Sequence, residues 1–440
     1  MAPLAEPQDA ALQMTTRQAI FAGVLGNTLE WYDFALYGHL SVYLGRTFFP
    51  EEDSSLQVLV TFAVFSVSFF MRPLGALLFS AIGDRFGRRR ALSISMMGMA
   101  IPTAAIGLLP GYAAIGGFAA VLLIVLRLFQ GLALGGEMGG AVTYVMEHTP
   151  SRKIGIASSL IQSSTCMGLL LGTLIASGLS FLLDETAFAE WGWRIPFLLG
   201  LVGGWIGLRI RQKMPESALY EEAKAHNRLL GNPVRHTLHH HKREILTGIL
   251  LLGPMTCGFF FAFVYFNSYM ISALKFTALH ALLVTSGGLV TSLAVTLVGG
   301  GLTDRLGFKR ILSIGAGLLL VATLPLAMSL SGRFGSTLIL PAFFGFSALL
   351  GLYTSAAFAG VTSLFRTEVR YSGVSLAVNV ASPILGSTAP LLMAWLVRNQ
   401  GADAGFTIFG IYLCALFCLA GTAIAKLDRW AFRGWGPQKS

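Results

Sequence analysis

Long apolar stretches alternate with short polar or charged segments along all 440 residues of the chain. Twelve of these stretches approach the length of about 20 residues that an α-helix needs to cross a bilayer. The predicted spans are residues 18–45, 56–82, 90–110, 117–147, 155–182, 193–212, 245–273, 281–302, 310–329, 337–365, 371–397 and 405–425. The pattern therefore predicts an all-α membrane protein with twelve transmembrane helices.

Positive charge is concentrated in every second loop between these spans. The basic loops are residues 85–90, 152–153, 211–243, 305–310 and 366–370. Lys and Arg collect in cytoplasmic loops, so both termini are predicted to be cytoplasmic. The segment 1–16 lacks the basic start and apolar core of a cleavable signal peptide.

An internal repeat divides the chain into two halves. The motif GDRFGRRR at Gly83–Arg90 follows span 2, and TDRLGFKR at Thr303–Arg310 follows span 8. Two parallel repeats with a substrate path between them are typical of secondary transporters. The predicted segments are an N-terminal tail, a first half, a central loop, a second half and a C-terminal tail: 1–17, 18–212, 213–244, 245–425 and 426–440.

The composition excludes an ordinary soluble protein. Hydrophobic residues make up 54% of the chain and charged residues 12%, whereas soluble domains carry about 25% charged residues. The net charge of +10 is then explained by positive loops, and we expect no nucleic-acid partner. The four cysteines lie in apolar stretches without disulfide or metal-ligand spacing.

Three carboxylates lie within predicted spans. Glu30 and Asp33 belong to the segment GNTLEWYDF at 26–34, and Glu137 lies in GGEMGG. Ionisable groups inside a bilayer are costly, and they usually mark ion or substrate pathways. Burial favours the protonated form of a carboxylate, and a nearby Arg favours the ionised form. We predict proton coupling by at least one of the three; a fixed ion pair that orients helices is the alternative.

The first half also carries arginines within its predicted spans, at depths similar to those of the carboxylates. Helical rise places Arg72 near the depth of Glu30 and Glu137. Arg127, in RLFQG with Gln130, lies nearer the outer side. A guanidinium binds carboxylates with two hydrogen bonds, so Arg127 and Arg72 are candidate substrate ligands with Gln130. Pairing of Arg127 with Asp33 is an equally open structural role.

The second half offers polar and aromatic groups in place of charges. The candidate substrate ligands there are Tyr265, Asn267, Tyr353 and Asn379. The run FFFAFVYF at 259–266 has the chemistry to hold a quaternary ammonium by cation–π contact. Because the run is aromatic all round the helix, we favour lipid-facing and interhelical packing.

Several motifs resemble the metabolite:proton symporter branch of the major facilitator superfamily. They are spread over the first half: GNTLEWYDF (26–34), MRPLGALLF (71–79), RLFQGLALGGEMGGA (127–141), EHTPSRKIG (147–155), WGWRIPF (191–197) and MPES (214–217). The second half resembles the branch more weakly, through TDRLGFKR and a Tyr-bearing seventh span. The branch includes carriers of alpha-ketoglutarate, citrate, shikimate, and proline or betaine. The resemblance implies two six-helix halves and proton-coupled uptake by alternating access.

The resemblance also implies a cytoplasmic gate. Asp84 is expected to meet a helix N-terminus or Arg152, and Thr303 and Phe308 depart from the pattern of the second-half motif. A topogenic basic loop without switching is the alternative. The candidate gate residues are Asp84, Arg85, Arg88, Arg152, Asp304, Arg305 and Arg310.

The sequence thus predicts a symporter that imports a small organic acid or zwitterion across the inner membrane. We expect a monomer in the bilayer, with protons and solute as partners and no cofactor beyond the proton gradient. Carboxylates are slightly favoured over proline or betaine; an uncoupled facilitator, a sensor and a drug antiporter are alternatives. No enzyme motif is present, and His236, His239, His240 and His241 are expected to form a solvated stretch, not a metal site.

Overall fold

The computed structural model describes residues 24–49, 54–86, 88–135, 142–143, 145–146, 149, 151–212, 233–365 and 367–427. Within these ranges the secondary structure is helical, with turns between helices and no strand. The first half contains α1 to α6: 24–39 continued by Ser41–Phe48, Ser54–Phe70 continued by Arg72–Phe86, Arg88–Leu108, Phe118–Leu134, Ile154–Leu182 and Arg194–Gln212.

The second half contains α7 to α12, and two of these helices carry a π-helical turn in the middle. Helix α7 is Lys242–Phe260, the π-helix Phe261–Tyr265 and Phe266–Ser272. Helix α11 is Thr367–Ala381, the π-helix Ser382–Ser387 and Thr388–Gln400. The other four are α8, α9, α10 and α12: Ala278–Leu306, Phe308–Leu330, Ile339–Thr362 and Ala402–Lys426. Their bounds differ from the predicted spans by only a few residues.

Most of these helices have the dimensions of membrane spans. Within the described residues, eight helices are long and apolar enough to cross a bilayer, and the shorter segments Ser93–Leu108 and Phe118–Leu134 are also apolar. Their outward faces carry large exposed side chains, for example Leu108, Phe181 and Val321. Apolar side chains on the outside of a protein are stable in lipid, so the surface fits a bilayer environment.

Glycines with positive φ angles turn the chain between consecutive helices of the second half. Gly307 (φ +88°) separates α8 from α9, and Gly401 (φ +80°) separates α11 from α12. A left-handed conformation carries no steric cost for glycine, so each turn needs a single residue. At the start of α8, the Thr277 hydroxyl accepts a hydrogen bond from the His280 amide, which caps the helix.

The two halves meet most closely where α5 packs against α8. Gly155 on α5 faces Gly300 on α8, and a Cβ built at Gly300 would overlap Ser159 Oγ. Only small residues allow two helix backbones to approach so closely. This contact lies near the ends of α5 and α8 that carry Arg152 and Asp304, and we call these ends the inner ends, after their predicted cytoplasmic orientation.

We expect Gly300→Ala to separate α5 from α8 at the inner ends. The added methyl group overlaps Ser159, whereas a Cβ at the neighbouring Gly301 meets no atom within 4 Å. We expect the variant to expose Cys166 on α5 more often, so that N-ethylmaleimide labels it several-fold faster when Cys166 is the sole cysteine. Overpacking of this kind usually costs about 1–3 kcal/mol.

Gly301→Ala is the matched control, because it adds the same methyl group to the same helix in open space. Equal labelling rates in the two variants would show that the α5–α8 contact does not limit access to Cys166.

Candidate functional site

A chain of buried hydrogen bonds links helices α1, α2, α3 and α4 in the first half. The Thr103 hydroxyl donates to Asp33 Oδ2 (2.9 Å), and Gln130 Nε2 donates to Thr103 Oγ1 (2.6 Å). Arg127 donates from Nη1 to Gln130 Oε1 (2.8 Å) and from Nη2 to Ser68 Oγ (2.9 Å). The pairing of Asp33 with Arg127 that the sequence left open is therefore indirect in the structure. The side chains of Thr103 and Gln130 lie between the carboxylate and the guanidinium.

Aromatic rings enclose the Arg127 guanidinium. Its Cζ lies 4.2 Å from the ring centre of Tyr37, 5.6 Å from Phe34 and 5.5 Å from Phe65. Cation–π contacts and two hydrogen bonds together stabilise a charge that is 1% exposed. These partners of Arg127 all belong to the first half. The sequence suggested this arginine as a substrate ligand.

Glu30 and Arg72 form an ion pair between α1 and α2. Arg72 Nη2 lies 3.5 Å from Glu30 Oε1, and both side chains are buried. The Arg72 guanidinium also lies 5.3 Å from the ring centre of Phe69. The predicted equal depth of Glu30 and Arg72 is consistent with this contact, whereas Glu137 lies outside the described residues.

A small cavity lies between the two halves, beside this ionic region. Its volume is about 20 Å³, which is room for about one water molecule. The first half contributes residues from α1 and α5, and the second half contributes residues from α7, α10 and α11. The lining residues are Trp31, Gln162, Thr165, Leu252, Met255, Thr256, Phe259, Phe260, Phe358, Val378 and Ser382.

Trp31 joins the cavity to the ionic region, because it lies on α1 between Glu30 and Asp33. Its ring lines the cavity and contacts Phe259 (5.8 Å between centres, nearly perpendicular) and Phe260 (5.9 Å). One helical turn therefore carries the two carboxylates and an aromatic wall of the cavity. A change in the charge of either acid acts on the same turn that shapes the cavity.

The four predicted ligands of the second half are not among the residues that line this cavity, and they contact other helices. Tyr353 donates to the Leu251 carbonyl (2.8 Å), and Asn267 donates to the His39 carbonyl (3.0 Å). Asn379 donates to the Gly135 carbonyl (3.3 Å). The Tyr265 ring contacts Phe62 on α2 and Phe406 on α12, with ring centres 6.0 and 6.4 Å apart. In this conformation they hold α7, α10 and α11 against their neighbours.

The aromatic run at 259–266 is buried along its whole length. Each of its residues is at most 3% exposed, so the predicted lipid-facing position is wrong, while the predicted interhelical packing is correct. Helix α7 lies at the interface of the halves, where neighbours surround it on all sides. Only Phe259 and Phe260 from this run reach the cavity.

A polar seam joins α1 to α7 across the interface of the two halves. His39 Nε2 lies 2.6 Å from the Phe263 carbonyl, and His39 Nδ1 lies 3.0 Å from Thr173 Oγ1. The hydroxyls of Ser41 and Ser268 lie 2.6 Å apart. The contacts of His39 therefore link three helices, α1, α5 and α7.

The inner ends are held together by Asp304. Its Oδ1 accepts a hydrogen bond from the Gly155 amide (2.6 Å) and its Oδ2 accepts one from the Ile156 amide (3.3 Å). A carboxylate at a helix N-terminus satisfies free amides and the helix dipole. Asp304 on α8 therefore joins the second half to the start of α5 in the first half.

The other predicted gate residues do not take part in the hydrogen bonds between Asp304 and α5. Arg152, Arg305 and Arg310 are exposed, and none of them has an ion pair in the part of the chain that the structure describes. The side chains of Asp84, Arg85 and Arg88 lie outside the described residues. In the second half, the Thr303 hydroxyl donates a hydrogen bond to the Gly299 carbonyl (2.8 Å).

No group of three or more His, Cys, Asp or Glu residues within the described ranges is placed to hold a metal ion. His239 and His240 are exposed, and the side chain of His236 lies outside those ranges. His241 Nδ1 lies 3.6 Å from Glu244 Oε1. Glu244, three residues later, is thus an acidic neighbour of His241.

Sequence reasoning missed the lining of the cavity. Trp31, between the two acids, was not among the predicted site residues. The same holds for four polar residues that resemble many others within the spans: Gln162, Thr165, Thr256 and Ser382. One signal was available: a large aromatic residue between two intramembrane carboxylates shares their helical turn. The four polar residues carry no such signal, because their position depends on how the helices pack.

Proteins of known activity resemble this chain over most of its length. It is 35% identical to the glycine betaine/proline/ectoine/pipecolic acid transporter of Dickeya dadantii over 396 residues, which cover 87% of this chain and 78% of that protein. It is 33% identical to the proline/betaine transporter of Escherichia coli strain K12 over 393 residues, with the same coverage.

Solved structures support the fold. The proton:xylose symporter bound to 6-bromo-6-deoxy-D-glucose superposes with a TM-score of 0.77 and 18% identity, covering 95% of this chain and 96% of that chain. A partially occluded inward-open structure of the Escherichia coli xylose transporter gives a TM-score of 0.74 at 18% identity, with 96% and 100% coverage. This fold has twelve helices in two halves.

The sequence model of the protein family named Major Facilitator Superfamily matches residues 32–390. The match includes Asp33 and most of the helices that line the cavity. The sequence motifs, the twelve-helix fold and the cavity between the two halves agree with that match. The chain belongs to the major facilitator superfamily of transporters.

Proposed function

We propose that this protein imports a zwitterionic osmolyte of the proline or betaine class together with protons. The observation that carries the proposal is the turn Glu30–Asp33, which joins a buried pair of acids to a cavity between the halves. The relatives support the solute class, since betaine, proline, ectoine and pipecolic acid all carry one positive and one negative charge.

The cavity lining favours a zwitterion over a di- or tricarboxylate. Among the residues that line it, none is charged. Arg72 is paired with Glu30, and Arg127 is bound by Gln130, Ser68 and three rings. A solute with a large net negative charge would lack a cationic partner here. The slight preference for carboxylates drawn from the sequence rested on these two arginines reaching the substrate.

Asp33 is the proposed site of proton coupling. Its carboxylate is buried, and its hydrogen bond from Thr103 connects it through Gln130 to Arg127. Proton transfer to Asp33 removes the negative charge that this chain stabilises and allows Thr103 and Gln130 to reorient. Because Trp31 lies on the same turn, the cavity wall moves with that change. Glu30 is the second candidate, and its ion pair with Arg72 orients it.

Alternating access then opens one side of the cavity at a time. The Asp304 contact with α5 closes the inner side, and the seam around His39 closes the outer side. Neutral substrate ligands suit this cycle, because binding must stay weak enough for release. We place the protein in the inner membrane as a monomer with both termini in the cytoplasm.

The test is uptake by proteoliposomes of proline, glycine betaine, alpha-ketoglutarate, citrate and shikimate, with and without an inward proton gradient. We expect proline or glycine betaine to accumulate. One proton per solute supports accumulation of about tenfold for each pH unit of gradient, since one unit is about 1.4 kcal/mol.

A protonophore added at steady state serves as the control, and it should release the accumulated solute. Gradient-driven accumulation of citrate or alpha-ketoglutarate alone would assign the protein to the carboxylate carriers. Equilibration without dependence on the gradient would assign it to the facilitators, and saturable binding without flux would assign it to the sensors.

A further inference from the structure

The aromatic wall of the cavity has chemistry that the proton cycle does not use. Trp31 comes from the first half, while Phe259 and Phe260 come from α7 of the second half. Their rings meet directly, with centres 5.8 and 5.9 Å apart from that of Trp31. The aromatic cluster therefore spans the boundary between the parts of the protein that move relative to each other during transport.

The Trp31 indole also presents an unused donor. Its Nε1 is buried and has no hydrogen-bond partner among the residues the structure describes. A buried N–H without a partner is costly, so native proteins rarely keep one unless another molecule satisfies it. Trp31 thus combines a π face with a free donor at the edge of the cavity.

We propose that Trp31, Phe259 and Phe260 form a cage for the methylated ammonium group of a betaine-type solute, with the Trp31 indole N–H donating to its carboxylate. This inference rests on the proposed function and narrows its substrate class. A cation is attracted to the face of an aromatic ring within about 6 Å of its centre, and Trp is the strongest partner. The cavity supplies no carboxylate that would bind a primary ammonium instead.

The observed geometry describes the closed cage. Rings in contact leave about 20 Å³ of space, which is too little for a trimethylammonium group, so the rings must separate for binding. The halves carry opposite walls of the cage, and opening of the interface separates them. In the empty, closed protein the rings pack against each other and keep their apolar faces away from water.

The hydroxyls around the cage explain why the remainder of the solute is accepted. Thr165, Thr256 and Ser382 line the cavity together with Gln162. Two of the lining residues lie at π-helical turns. Ser382 is the first residue of the π-helix in α11, and Phe260 directly precedes the π-helix in α7. Such turns are frequent at functional sites, because their wider spacing frees backbone groups and alters the direction of side chains.

Equilibrium binding to the purified protein tests the cage without requiring flux. The probe is labelled glycine betaine, with glycine, sarcosine, dimethylglycine and 3,3-dimethylbutanoate as competitors. The last compound has the shape of glycine betaine without its positive charge. We expect affinity to rise with each methyl group and glycine betaine to bind about tenfold or more tightly than 3,3-dimethylbutanoate, the range of desolvated cation–π contacts.

Three variants locate the effect. Trp31→Phe and Phe260→Leu should each reduce the preference for glycine betaine over 3,3-dimethylbutanoate several-fold. Phe266→Leu is the matched control: it belongs to the same aromatic run and is buried, but its ring packs on Phe343 and not on the cavity. It should retain the preference of the parent protein.

The outcomes separate this inference from the proposed function. A flat methylation series, or equal binding of 3,3-dimethylbutanoate, would overturn the cage even if proline accumulates in vesicles. Methylation-dependent binding without proton-driven uptake would support the cage and contradict symport. An equal loss of preference in Phe266→Leu would show a general effect of packing and would also overturn the cage.

Discussion

Asp33→Asn is expected to abolish proton-driven accumulation and to preserve exchange of solute across the membrane. The carboxylate is buried and accepts a hydrogen bond from Thr103, the first member of the chain that leads to Arg127. Asparagine has nearly the same shape and accepts the same hydrogen bond, but it binds no proton in the physiological range. The transport cycle then no longer depends on the gradient, and uptake should fall to the equilibrium level.

The measurement compares accumulation under an inward proton gradient with counterflow in its absence. At a gradient of one pH unit the parent protein should accumulate solute about tenfold, and the variant about onefold. Asp403→Asn is the control, because Asp403 is exposed, lies at the start of α12 and accepts a hydrogen bond from Ser331. Retained accumulation in Asp33→Asn would eliminate this residue as the coupling site and favour Glu30.

Loss of either member of the Glu30–Arg72 pair should strongly destabilise the protein. Both side chains are buried, and Arg72 Nη2 contacts Glu30 Oε1 at 3.5 Å. Removing one partner leaves a charge in a medium that solvates it poorly, at a cost of about 3–5 kcal/mol. We expect Glu30→Gln and Arg72→Gln each to lower the midpoint of thermal unfolding, measured in one detergent.

The double variant distinguishes the ion pair from separate effects of the two residues. Glu30→Gln with Arg72→Gln leaves no unpaired charge, so we expect it to recover most of the stability lost by either single variant. Glu190→Gln removes an exposed acid and serves as the control. It should change the free energy of unfolding by no more than about 0.5 kcal/mol. Additive losses in the double variant would contradict the interpretation as a pair.

Glu30 and Asp33 have different surroundings although they share one helical turn. Glu30 has a charged partner on α2, whereas the Oδ2 atom of Asp33 accepts a neutral donor on α3. A carboxylate with a fixed counter-ion is suited to orienting helices, and one bound through neutral groups is suited to gaining and losing a proton. This difference is why we assign coupling to Asp33 and orientation first to Glu30.

The sequence by itself determined the fold class and the location of the ionic groups. Span length and apolarity are local properties, so the helices follow from them; Ile154–Leu182 was predicted as 155–182. The depth of Glu30 and Arg72 also follows from helical rise along two adjacent spans. The motifs around Asp33 and Arg127 identified the family, because each consists of residues close together in the chain.

Only the tertiary structure decided which side chains meet. Nothing local indicates that Asp304 caps a helix 149 positions earlier, or that Trp31 faces Phe259 and Phe260 across the interface. The run at 259–266 is aromatic on every side, so its hydrophobic pattern has no direction and cannot distinguish lipid from protein neighbours. Its burial, and with it the cage, is set by the packing of α7 between the two halves.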